Sequence, residues 1–129
     1  MHVIMDANDF VKDLNDAQEL MRNERYQEAL IILSKLKEAD KAGNFDYNLT
    51  HKLYQLISNS QSLYNQQRVL SVVKEISQKQ KSISFNDLKE ILFKQENVEL
   101  GELILRREVE ILILRSLLQG KIKENDLVF

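Results

Sequence analysis

Cysteine, proline and tryptophan are missing from this 129-residue sequence, and glycine occurs only at Gly43, Gly101 and Gly120. Without cysteine there is no disulfide framework and no thiol-ligated metal site, and an intracellular address fits better than a secreted one. Without proline, and with glycine almost absent from the first hundred residues, little punctuates the chain as a strand-and-turn protein would require, so helices should dominate. No stretch approaches the roughly 18 uninterrupted apolar residues of a membrane span. The opening segment Met1 to Val11 holds two acids and no sustained apolar run, which reads against a signal peptide. The formal net charge of −2 removes the general electrostatic argument for a nucleic-acid binder, which needs clustered Lys and Arg. What is present, 43% hydrophobic and 29% charged residues, is the profile of an ordinary soluble, cytoplasmic globular protein with a modest core, expected to pack as one compact domain.

In the N-terminal half, Phe10, Leu14, Ala17 and Met21 recur at intervals of three and four. After the polar break Asn23-Glu24-Arg25, Tyr26, Ala29, Leu30, Leu33 and Leu36 do the same. This predicts an antiparallel helical hairpin in which small Ala17 and Ala29 allow close approach, an arrangement that resembles one tetratricopeptide-type helix pair. Gly43 and Asn44 break the pattern, and Leu49, Leu53 and Ile57 open a third helix reaching the polar run NSQSLYNQQ, which reads as a connector or a helix with a polar face. The predicted boundary falls there, with a repeat-like helical region over 1–66 and a second region over 67–129.

From Arg68 the pattern changes. Val69, Val72, Val73 and Ile76 share one helical face. Ser82-Ile83-Ser84 is a candidate short strand, and Ser84 with Asp87 has the S-x-x-D spacing of a capping box, predicting a short helix over 85–93 whose inner face is Phe85, Leu88 and Leu92. The long helix holding REVEILILRSLLQGKI follows, and Gly120 is expected to end it in a left-handed turn. Lys121-Ile122-Lys123, a polar turn at Glu124-Asn125 and Leu127-Val128-Phe129 then form a minimal β-hairpin. The fold class expected is mainly α: N-terminal repeat-like helices followed by a C-terminal winged helix.

These C-terminal residues resemble the PCI domains of the proteasome lid, the signalosome and a translation initiation factor. Glu108 and Glu110 match the E-x-E that opens the last helix in that family, Ile111 and Ile113 its aliphatic run, and Gly120 and Ile122 its glycine and wing isoleucine. The stretch SISFNDLKEIL is similar to the preceding strand-helix step, so the likeness covers about residues 68–129. The helical part is shorter than the family's, and Asp126-Leu127 stands where the family tends to place an aliphatic before an acid. The resemblance implies a scaffold subunit of a larger complex.

Rotating the long helix at about 100° per residue places Leu100, Ile104, Ile111, Leu114 and Leu118 on one stripe, expected to be the inner one. Leu105, Val109 and Leu112 lie on the opposite side, with Ile113 and Leu117 between. A helix apolar nearly all round is buried all round. Leu105, Val109, Leu112, Ile113 and Leu117 are therefore the candidate interface, covered either by the N-terminal hairpin or by a protein partner or second copy. The rival reading is a DNA-binding or transcription-associated winged helix, with Lys79, Lys81, Lys121 and Lys123 as phosphate contacts beside the strand and wing. The final helix offers that reading Arg106, Arg107 and Arg115 among Glu99, Glu102, Glu108 and Glu110, with few side chains able to read bases.

Nothing in the sequence advertises catalysis. His2 and His51 are far apart, and no metal-ligand spacing, phosphate-binding loop or nucleophile motif occurs. Glu108 and Glu110 are two apart on a helix, about 200° around, and cannot converge on one substrate. The expectation is a non-enzymatic protein–protein assembly module with no cofactor and no small-molecule ligand.

Overall fold

The structure, a computed structural model, describes residues 5–129. Five α-helices and three short strands follow the order α1 (Ala7–Arg22), α2 (Tyr26–Ala42), α3 (Tyr47–Ser77), β1 (Ser82–Ser84), α4 (Phe85–Glu96), α5 (Glu102–Leu114), β2 (Lys121–Lys123) and β3 (Asp126–Val128). Two compact units are present, residues 1–64 and 65–129, and the division falls inside α3. The expected third and fourth helices are a single 31-residue helix: NSQSLYNQQ contains neither glycine nor proline, and its glutamines and leucine are good helix formers.

In the first unit Asp6 caps α1 by accepting the amide of Asp9 at 2.8 Å. The chain reverses over Asn23, Glu24 and Arg25, where Glu24 takes the left-handed conformation at φ 60°, and α2 packs back along α1. Phe10, Leu14, Ala17, Ala29, Leu33, Leu36, Leu53 and Leu56 form one buried cluster. Ala17 and Ala29 are fully buried, as the small-residue spacing predicts. The Phe45 ring lies 4.5 Å from that of Phe10. It is also what Gly43 accommodates, since a Cβ there would lie 2.6 Å from the ring.

In the second unit the strands form one antiparallel sheet in the order β1-β3-β2, with Ile83 and Ile122 both opposite Leu127. Side chains alternate across a strand, so the face carrying buried Ile83 and Leu127 turns inward and the face carrying Ser82, Lys121, Lys123 and Asp126 turns outward. Ser84 caps α4, its hydroxyl accepting the amide of Asp87 at 3.1 Å, and Phe85, Leu88 and Leu92 are the buried face of that helix, as the capping-box reading expects. Asn97 in the left-handed conformation ends α4.

Gly120 does not end α5. The helix stops at Leu114, and the left-handed residue is Ser116 at φ 59°. Gly120 has no positive φ and serves instead a close approach: a Cβ there would lie 2.9 Å from the carbonyl oxygen of Val128 on β3.

Candidate functional site

Helix α5 carries most of the residues singled out by the sequence, and its rotational setting reverses the expected one. Leu105, Val109 and Leu112 are buried, at 0%, 0% and 1% exposure, whereas Leu103 and Leu114 stand 84% and 83% exposed and Ile104 45%. Leu105, Val109 and Leu112 are therefore core and not an outer interface; Ile113 is half-buried, and Leu117, 47% exposed, lies past the end of the helix. The supposed inner stripe dissolves because α5 spans only residues 102–114. Leu100 and Leu118 are buried, but from the non-helical flanks, where the 100° rotation does not apply. Within the helix the buried side is the one carrying Leu105, Glu108, Val109 and Leu112.

Beside that stripe sits Glu108, only 1% exposed. The other two acids of α5, Glu102 and Glu110, are exposed. A buried carboxylate needs donors, and α3 supplies one: the buried Gln66 amide donates to Glu108 at 2.8 Å. The Gln66 carbonyl accepts from the Arg115 guanidinium at 3.0 Å, and Arg107 reaches the other Glu108 oxygen at 3.5 Å. The relay Arg115–Gln66–Glu108–Arg107 thus stitches α3 to both ends of the last turns of α5. Sequence reasoning missed Gln66, because a glutamine within a run of Asn, Ser and Gln carries no signal; the E-x-E pattern drew attention to Glu108 without saying that it is inside. A second tie is the Arg68–Glu96 ion pair at 3.5 Å.

Arg106 is committed too, donating to the Glu124 carbonyl oxygen at 2.7 Å and lying over the Phe85 ring at 5.1 Å. Arg106 and Arg115, and more loosely Arg107, are thus each engaged within the unit. The four lysines are exposed: Lys79 and Lys81 precede β1, and Lys121 and Lys123 lie on the outward face of β2, one strand removed from β1 across β3. They are interrupted by acids, with Glu75 4.0 Å from Lys79 and Asp126 directly opposite Lys123.

Among the described residues no group of three or more His, Asp or Glu could hold a metal ion. His51 is exposed and stacks on Tyr47, ring centroids 6.1 Å apart; His2 lies outside the described residues. An open cleft of about 320 Å³ beside Phe93 is lined by surface Lys89, Glu90, Lys94 and Glu99 with Leu100, and no buried titratable side chain faces it. No described helix is long and apolar enough to cross a membrane. Comparison with protein-family models, curated proteins and solved structures finds no match.

Proposed function

We propose that the chain is a non-enzymatic protein–protein assembly module: a repeat-like helical unit followed by a winged helix, akin to the PCI-type scaffold subunits of large cytoplasmic complexes. The order helix, strand, helix, helix, hairpin and the sheet order β1-β3-β2 support the winged-helix reading. The observation that carries the assembly role is the outer face of α5, where Leu103, Ile104 and Leu114 are turned to solvent beside a completed inner stripe. Exposed aliphatics gathered on one helix face mark an interaction surface.

The DNA-binding alternative draws on Lys121 and Lys123, side by side on the outward face of β2. It is the weaker reading, because a helix that reads base edges presents several free Arg, Lys, Asn or Gln, and the outer face of α5 presents Leu103 and Leu114 with a single Arg107 beside acidic Glu110. The assembly role is tested by the native mass of the tagged full chain in extracts of its own cells. Elution in a complex well above 15.2 kDa, lost on Leu103→Lys with Leu114→Lys, is the expected result. Elution of the parent as a monomer overturns it.

A further inference from the structure

The residues on the solvent face of α5 are Leu103, Arg107, Glu110 and Leu114, all exposed. They are spaced four, three and four apart and so fall within an arc of about 60°. This is the spacing of a coiled-coil seam, in which core positions alternate by three and four. The order of residue types along it is apolar, basic, acidic, apolar. Turned end for end, the same order matches itself with opposite charges facing. In an antiparallel pair of such helices Leu103 meets Leu114 of the other copy, and Arg107 meets Glu110, each contact occurring twice about the dyad.

We propose that the solvent face of α5 is an isologous interface on which a second copy of this chain packs antiparallel. The seam is self-complementary, as a two-fold contact requires. Leucine pairs close it at both ends, and two Arg107–Glu110 ion pairs fix its register and direction. Ile104, 45% exposed, and half-buried Ile111 flank the seam and widen its apolar border. The charges are available for this: Glu110 is exposed and takes part in none of the ion pairs found among the described residues, and Arg107, 65% exposed, makes only the long 3.5 Å approach to Glu108. A parallel pair would set Arg107 against Arg107 and Glu110 against Glu110, so orientation is specified by repulsion as well as attraction.

Thirteen residues give a helix about 20 Å long. A face of that length covers less than the roughly 1,000 Å² of a stable interface, so the pair is a weak and transient one. The inference rests on the assembly reading only in sharing its surface, and the two fail separately. Sedimentation equilibrium of the purified full chain over about 5–500 μM, the concentrations at which a weak pair forms, should show a monomer–dimer equilibrium. Arg107→Glu alone, and Glu110→Arg alone, should each weaken it at least tenfold, because each places like charges opposite one another twice. The double exchange R107E/E110R restores opposite charges and should recover dimerisation to within a few-fold of the parent. Circular dichroism checks that each variant is folded; the positions are exposed, so a structural role would not produce rescue. A purified chain that stays monomeric throughout, or single reversals without effect, or a double exchange that fails to rescue, overturns the proposal. If such a monomer still enters a larger complex in cell extract through Leu103 and Leu114, the face belongs to a different protein: the second copy is refuted and the assembly reading stands.

Discussion

At Gly120 the constraint is space and not backbone conformation. Its φ is negative, yet the Cβ of any other residue would come within 2.9 Å of the Val128 carbonyl oxygen and 3.3 Å of the Leu118 side chain. A backbone atom in a three-stranded sheet cannot swing aside as a flexible side chain does, so Gly120→Ala should cost about 1–3 kcal/mol through overpacking, read as a lowered denaturant midpoint with unchanged slope. Glu108 presents the opposite problem, a polar group whose removal leaves its donor stranded. Glu108→Ala strips the acceptor from the buried Gln66 amide and opens a cavity, and should destabilise the chain by about 2–4 kcal/mol. Glu108→Gln keeps a carbonyl acceptor of the same size and should cost clearly less. Equal losses for the two variants would show that volume, and not the hydrogen bond, is what the site requires; urea unfolding of both beside the parent measures this. Neither role was legible in the sequence. A glycine advertises freedom of φ but not the nearness of a strand that arrives eight residues later, and an acid on a helix reads as solvated until its partner 42 residues away is placed.

Elements were legible where a local rule fixes them. The Ser84 cap, the strand before it and the Phe85, Leu88, Leu92 face depend on neighbouring residues only, and the α1–α2 hairpin follows from periodicity on either side of a polar break. α5 was not, because aliphatic residues surround it: periodicity finds both stripes and cannot say which one packs, and running the helix from Leu100 to Gly120 added two buried leucines, Leu100 and Leu118, that lie off it at either end. The setting now assigned has a direct consequence. Leu105→Lys with Leu112→Lys buries two unpaired ammonium groups and should unfold the unit or destabilise it by several kcal/mol, more than a chain of this size can lose. Leu103→Lys with Leu114→Lys places the same two charges in water and should leave the melting temperature of dilute protein within a few degrees of the parent. Thermal melts followed at 222 nm compare the pair; similar losses from both would mean that α5 is rotated differently.

For the whole molecule, the question is whether a net charge of −2 conceals a face that holds phosphate. Affinity for duplex DNA grows with the number of phosphates neutralised, each adding about one unit to the slope of log K against log salt. Arg106 and Arg115 are held by the Glu124 carbonyl and by Gln66, Lys79 lies 4.0 Å from Glu75 and Lys123 stands opposite Asp126, which leaves Lys121 and Lys81 of the four candidate lysines. Two lysines at the ends of a small sheet neutralise at most about two phosphates. That number predicts a salt slope no steeper than about −2 and a dissociation constant no tighter than about 10 μM for random duplex at physiological salt, at or below ordinary non-specific binding. Fluorescence anisotropy of a labelled duplex, titrated with the chain between 50 and 200 mM salt as in the range over which such slopes are about linear, measures both quantities. The result bears on α5 as well. A steep slope would require Arg106 and Arg115 to leave their present partners and join the exposed Arg107 and the lysines, and nanomolar binding to a particular sequence would overturn the proposed assembly role in favour of DNA reading.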